Sequence, residues 1–105
     1  MEEKISITTK KSKKGTLLNF TGEFTIYSVN AAQKQLFKDL DNWESPVSID
    51  LSQLQEIDTA GVQFLLFLKQ QLTEANKQVH ITKSSEQVDS VLTLLDLNNH
   101  FALEA

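Results

Sequence analysis

Residues 58–61, with the sequence Asp-Thr-Ala-Gly, are the part of this chain best placed to take part in chemistry. They lie between residues 47–51, whose apolar character predicts a buried strand, and residues 62–68, whose apolar character predicts a helix. A hydroxyl at such a junction is close to the unpaired N–H groups of the first helical turn, where the helix dipole favours negative charge. Two interpretations of Thr59 stay open: it caps the helix, or it accepts a phosphate.

The composition is that of one globular domain spanning residues 1–105, which would bury roughly two thirds of the surface of its unfolded chain. The formal net charge of −4 argues against a broad nucleic-acid-binding surface. The chain has no cysteine, and His80 and His100 lack the spacing of metal ligands, so we expect no metal and no cofactor.

Features of enzymes and of membrane proteins are not visible in the sequence. No Ser-His-Asp set or paired carboxylates are apparent, and the three glycines are too scattered to form a phosphate-binding loop, so we do not expect an enzyme. The N-terminus opens acidic without an apolar signal segment, and no apolar run approaches the length of a membrane span. We therefore expect a cytoplasmic protein without direct membrane insertion.

The periodicity of apolar residues predicts the order strand, strand, helix, strand, helix, strand, helix. Residues 5–9 and 16–20 flank a lysine-rich turn and predict a hairpin. Residues 21–23 predict a turn in which Gly22 supplies a positive φ or room for a close approach, and Ser28 is available to cap the first helix. This order favours an α/β fold, with a mixed sheet of four to five strands and three to four helices packed mainly on one face.

The second helix, from about Thr59 to Ala75, is the most apolar element. Its core face is expected to hold Val62, Leu65, Leu66 and Leu72, with Leu68 at the border. Phe67 does not fit this face: it points to the side of Thr59 and Gln63, and Phe64 lies further round. Two interpretations of Phe67 stay open, since either a neighbouring helix covers it or it is an anchor for a binding partner.

Residues 48–61, which end in Asp58-Thr59-Ala60-Gly61, resemble the signature of STAS domains, the family of bacterial anti-sigma-factor antagonists. In that family a hydroxyl residue directly after the Asp is phosphorylated by a partner kinase, and the matching position is Thr59. The resemblance extends over about residues 5–103 and implies the STAS fold. STAS domains commonly have a polar side chain at the position of Asp50, which either supports the loop leading to Thr59 or is a solvated strand-end residue.

The Asp-Thr-Ala-Gly form looks similar to stand-alone STAS proteins found beside chemotaxis and two-component genes, and to the STAS subunit of bacterial phospholipid transporters. The resemblance and the helix geometry together suggest a partner-binding surface that contains Gly22, Glu23, Asp58, Thr59, Ala60, Gly61, Gln63 and Phe67. Gly61 would let either a neighbouring backbone or a partner approach the helix start.

The predicted function is a protein-binding module gated by phosphorylation. With Thr59 unmodified it would bind a serine/threonine kinase or anti-sigma factor, or a chemotaxis or two-component signalling protein. One alternative implied by the resemblance is a constitutive STAS subunit of a phospholipid-transport ABC complex, in which Thr59 makes a fixed hydrogen bond. Another is a small-ligand sensor with an anion at the same helix start.

Overall fold

The computed structural model describes residues 5–95, and these residues contain the predicted order of elements. The strands are β1 (Ile5–Ser12), β2 (Gly15–Phe24), β3 (Val47–Ile57) and β4 (Val79–Ser84), and the helices are α1 (Val29–Phe37), α2 (Thr59–Glu74) and α3 (Glu86–Leu94), with a short 3-10 helix at Leu40–Asn42. The sheet has the order β1-β2-β3-β4, in which β1 is antiparallel to β2 and the other neighbours are parallel. The predicted mixed α/β fold is confirmed, with four strands and three helices in the described part of the chain.

One face of the sheet carries the core. In β1 the apolar Ile5 and Ile7 are buried, whereas the residues between and after them are exposed. All three helices contribute to the same cluster, which includes Leu18, Phe20, Ile49, Leu51, Leu36, Leu65, Leu72, Val88 and Leu92. The helices therefore pack on one face of the sheet, as predicted. No helix in residues 5–95 has the length and apolar character that spanning a membrane requires.

Strand β3 is longer than the sequence predicted, and this shortens the connection to α2. The prediction ended the strand at Leu51, but it continues to Ile57, with Leu54 and Ile57 facing the core. The sequence of this segment resembles a loop because it contains exposed polar side chains such as Gln53 and Gln55. Asp58 alone separates β3 from α2.

Gly22 has the positive φ that the sequence predicted, at 106°, but it lies within β2 and not in a turn. It pairs with Ile5 on β1 and with Leu54 on β3, and the β2–β3 register shifts directly after it. A β-bulge commonly uses a glycine in this way, because the extra backbone bend needs a conformation that other residues adopt at a cost. The prediction of a turn at residues 21–23 is therefore wrong.

The core face of α2 is rotated relative to the prediction. Val62, Leu65 and Leu72 are buried as expected, but Phe64 and Leu68 are buried with them and Leu66 is only half-buried. The cause is the packing of α1: the Phe64 ring lies 5.5 Å from that of Phe24 and 5.8 Å from that of Phe37. A neighbouring helix thus covers a position that helical periodicity alone left outside the core.

Thr16 fixes the segment that leads into β3. Its buried hydroxyl donates to the carbonyl of Glu44 at 3.0 Å and accepts from the N–H of the same residue at 2.8 Å. We expect Thr16→Val to lower the free energy of unfolding by about 1 to 3 kcal/mol, because the shape is kept while both hydrogen bonds are lost. Urea denaturation followed by circular dichroism measures this change.

Thr16→Ser is the matched control, since it keeps the hydroxyl and removes only a methyl group. It is expected to retain most of the stability that Thr16→Val loses. A larger loss for Thr16→Ser than for Thr16→Val would show that packing of the methyl group, and not hydrogen bonding to Glu44, holds this segment.

Candidate functional site

Asp58 joins the two connections that meet at the carboxyl ends of β2 and β3. It is the N-cap of α2, and one carboxylate oxygen accepts from the N–H of Gly61 at 3.0 Å. The other oxygen accepts from the N–H of Ile26, in the β2–α1 loop, at 3.0 Å. One side chain therefore satisfies an unpaired N–H of the first helical turn and ties a second loop to the helix.

Thr59 is the first residue of α2 and is exposed. Within residues 5–95 its hydroxyl has no hydrogen-bond partner, and the capping bond belongs to Asp58. Of the two interpretations that the sequence left open, capping by Thr59 does not apply. Its hydroxyl stands in solvent beside the helix N-terminus, where a negative charge is favoured by the helix dipole.

Gly61 is buried and is in close contact with the end of β2. A Cβ at this position would collide with the carbonyl oxygen of Phe24 and would come within 2.9 Å of Cγ1 of Ile57. The approach that the sequence predicted for Gly61 is thus made by the backbone of β2. Gly61 contributes to the surface by letting α2 start close to the sheet.

Hydroxyl groups hold the β2–α1 loop from within. The Ser28 hydroxyl donates to the carbonyl of Glu23 at 2.8 Å and accepts from the N–H of Thr25 at 2.9 Å. The Thr25 hydroxyl in turn accepts from the N–H of Tyr27 at 3.3 Å. Ser28 precedes α1 as predicted, but its side chain makes no capping hydrogen bond because it is used inside the loop.

The same loop directs two apolar side chains into solvent. Ile26 is 64% exposed and Tyr27 is 88% exposed, beside the helix start that Asp58 connects to them. Neither residue belongs to the partner-binding surface predicted from the sequence. The available signal was an isoleucine and a tyrosine between two hydroxyl residues, at a position where a turn normally carries polar side chains.

Thr59, Gln63 and Phe67 form an exposed stripe along α2, because residues four apart lie on the same side of a helix. The neighbouring helix α1 covers Phe67 only in part, and its role as an anchor for a partner stays a prediction. Its ring lies 5.5 Å from that of Phe37 on α1, and the side chain is still 42% exposed. Ala60, next to Thr59, is half-buried.

Acidic side chains surround the start of α2. Glu23 and Glu56 are partners in the β2–β3 register, near the carboxyl ends of both strands. Asp58 follows two residues after Glu56. The surface around the start of α2 is therefore locally acidic, although Asp58 is already engaged with two backbone N–H groups.

Asp50 does not reach the loop before Thr59. Its carboxylate accepts from the N–H of Ser52 at 2.9 Å and from the Ser52 hydroxyl at 2.6 Å, and both residues lie within β3. A register shift between β3 and β4 occurs at the same place. Both interpretations of Asp50, support of the loop leading to Thr59 and a solvated strand end, assumed that β3 ends near Leu51, whereas β3 continues to Ile57 and holds Asp50 in its interior.

Comparison with protein families decides the classification of this architecture. The family model described as "Mlab, STAS domain" matches residues 7–104. The chain belongs to the STAS domain family. No curated protein matches the sequence.

Solved structures share the fold of this STAS domain at low sequence identity. An anti-sigma factor antagonist from Mycobacterium paratuberculosis has a TM-score of 0.82 and 15% identity, with 94% of this chain and 84% of that chain covered. The anti-sigma factor antagonist SpoIIAA in its unphosphorylated form has a TM-score of 0.74 and 13% identity, with coverages of 95% and 89%. An antisigma-factor antagonist STAS domain from Rhodobacter sphaeroides has a TM-score of 0.65 and 23% identity, with coverages of 73% and 84%.

Replacement of Asp58 tests its double role. We expect Asp58→Ala to lower the free energy of unfolding by about 2 to 3 kcal/mol, since it removes the helix cap and the acceptor for the Ile26 N–H. Thr59→Ala is the matched control at the neighbouring residue and is expected to change stability by less than about 0.5 kcal/mol. Chemical denaturation of both variants measures the difference, and equal losses would assign the cap to Thr59 as well.

Gly61→Ala tests the close approach of β2 to α2. Within an exposed helix, alanine is favoured over glycine by about 1 kcal/mol. Here we expect the opposite sign, a loss of about 2 kcal/mol or more, because the new methyl group would collide with the Phe24 carbonyl. Gln70→Ala, at an exposed position of the same helix, is the control, and a stabilised Gly61→Ala variant would contradict this account.

Proposed function

We propose that this STAS domain is a non-enzymatic, protein-binding module of the cytoplasm. Its partner surface is formed by the start of α2 and the β2–α1 loop, and phosphorylation of Thr59 lowers its affinity for the partner. The observation that carries this proposal is the division of tasks between two neighbouring residues. Asp58 makes the hydrogen bonds that hold the helix start and the loop, whereas Thr59 is exposed with an unused hydroxyl. Thr59 is therefore free to be modified without loss of the fold.

The surroundings of Thr59 suggest how a phosphate would act. Phosphorylation adds about −1.5 to −2 charges at neutral pH. In the free domain the phosphate faces water and the N-terminal end of the α2 dipole, so it is tolerated despite the nearby Glu56 and Asp58. In a complex the same phosphate would lose its hydration, which is costly for a charged group. The domain stays folded, and the complex dissociates.

Ile26 and Tyr27 complete the proposed surface. They are large apolar side chains held in solvent by a rigid loop that is tied to the helix start. Aromatic residues at the centre of an interface often carry much of the binding energy. Contacts with Ile26 and Tyr27 would supply affinity, and the state of Thr59 would decide whether the partner approaches closely enough to make them.

The proposed partner is a serine/threonine kinase or an anti-sigma factor, or a chemotaxis or two-component signalling protein. The fold supports this class, since the matching structures include proteins described as anti-sigma factor antagonists. A second candidate function is a constitutive STAS subunit of a phospholipid-transport ABC complex. It is favoured by the description of the matching family model, which names Mlab.

The two candidates predict different responses to substitution of Thr59. Crosslinking in the native cells, followed by purification of the tagged domain, identifies the partner, which is then produced separately for calorimetry. Under gating, Thr59→Glu should weaken binding by about tenfold or more, while Thr59→Ala binds as the unmodified domain does. Gln70→Glu adds the same charge to an exposed position of α2 and is expected to have little effect.

Other outcomes would reject the gating mechanism. Equal affinity of the unmodified domain, Thr59→Ala and Thr59→Glu would show that charge at this position does not control binding. Recovery of a membrane ATPase, together with weaker binding by Thr59→Ala, would support the constitutive subunit, in which the hydroxyl makes a permanent hydrogen bond.

A further inference from the structure

Helices α1 and α2 run side by side from the same edge of the sheet. Each follows one of the two parallel strands β2 and β3, so both helices begin at the carboxyl ends of these strands. Phe37 is the ninth residue of α1 and Phe67 the ninth of α2, and their rings lie 5.5 Å apart. The exposed stripe from Thr59 to Phe67 therefore ends beside an aromatic pair shared by both helices.

A groove follows α1 next to this aromatic pair. Its volume is about 480 Å³, and it is lined by Asn30, Gln33, Lys34, Phe37 and Lys38. These positions lie along one exposed side of α1, so the groove is an open strip beside that helix. The ring of Phe37 provides its apolar part, and the half-exposed Phe67 of α2, which does not line the groove, contacts that ring.

The groove is basic although the chain carries a net charge of −4. Lys34 and Lys38 are exposed, and helix α1 contains no acidic residue. Among residues 5–95, no carboxylate forms an ion pair with either lysine. This surface thus combines two free ammonium groups with an aromatic pair, and it lies apart from the acidic residues at the start of α2.

We propose that this groove binds an acidic, amphipathic helix of the partner that also contacts Thr59. An apolar side chain of that helix packs on Phe37 and Phe67, and its carboxylates face Lys34 and Lys38. The inference rests on the proposed function, since it assigns a second contact to the same partner. The distance along α2 from Thr59 to Phe67 is about 12 Å, which a helix of two to three turns covers.

The shape of the groove favours a helix over an extended segment. Extended peptides usually bind by adding a strand to a free sheet edge, where backbone hydrogen bonds provide affinity. The groove is lined by side chains of α1, whose backbone groups are used within the helix. An amphipathic helix needs only an apolar strip and matching charges at its borders, and both are present here.

Photo-crosslinking tests the chemistry of the occupant. Benzoylphenylalanine placed at Gln33 reports on the groove in native cells, and the same group at Lys11, an exposed residue of β1, is the control. Mass spectrometry of the crosslinked peptide is expected to give a segment with helical apolar spacing and carboxylates on its flanks, obtained from Gln33 only. A basic segment, or the same peptides from both positions, would overturn the proposal.

Charge reversal measures the contribution of the two lysines. The probe is the partner identified by crosslinking, purified separately and titrated by calorimetry into the full chain. The double variant Lys34→Glu, Lys38→Glu, called the groove pair below, is expected to weaken binding by about tenfold or more, with a smaller effect at high salt. Lys10→Glu combined with Lys11→Glu makes the same charge change on β1 and is expected to weaken binding by less than about threefold. Phe67→Ala should weaken binding about as much as the groove pair.

The outcomes separate this proposal from the gating of Thr59. If Thr59→Glu weakens binding while the groove pair binds as the unmodified domain, the groove proposal is wrong and gating stands. If the groove pair weakens binding while Thr59→Glu does not, gating is wrong and the groove stands. Three outcomes would each overturn the groove proposal. The two lysine pairs could have equal effects, or the groove pair could bind more tightly than the unmodified domain. The groove pair could also lose only its binding to anionic phosphatidylglycerol vesicles.

Discussion

The carboxylate of Asp58 is the interaction on which the arrangement at this edge of the sheet depends. Its two oxygens accept from N–H groups that are 35 positions apart in the chain, those of Ile26 and Gly61. Backbone donors at a helix start and in a surface loop otherwise rely on water, which fixes no geometry. Because one side chain serves both, the β2–α1 loop and the start of α2 are tied to each other.

This relation requires close packing of the backbone as well as hydrogen bonds. Gly61 allows the first turn of α2 to lie against the Phe24 carbonyl at the end of β2. The N–H of Asp58 also points to that carbonyl, at 3.4 Å. The strand end, the loop and the helix therefore meet within a few residues, and the exposed side chains of Ile26, Tyr27 and Thr59 are presented from a common base.

Much of the fold could be predicted from the sequence, because the apolar periodicity is strong and each element is separated by polar or turn-forming residues. The order of elements, the helices on one face and the start of α2 at Thr59 were all predicted. The end of β3 was not, since a strand with one solvated face has polar residues at every second position and resembles a loop. Both interpretations of Asp50 assumed that earlier strand end.

The other features that could not be predicted from the sequence depend on contacts between elements distant in sequence. Phe64 is buried because Phe24 and Phe37 surround it, and no local pattern reports the position of α1. Likewise, Asp58 is recognisable as a cap, but its bond to Ile26 exists only after β2 and β3 have paired. The position of Ile26 in the exposed loop depends on the same distant bond to Asp58, together with the local bond from Ser28 to Glu23.

Asp58 stabilises this edge of the sheet, whereas the adjacent Thr59 is exposed. This division limits the effect of a modification at this edge. A charge on Asp58 is already balanced by two N–H groups, and any change there disturbs the scaffold. A charge on Thr59 meets no protein group that must move, because its hydroxyl has no partner within residues 5–95. The free energy of such a charge therefore appears mainly where water is removed, which is at an interface and not within the domain.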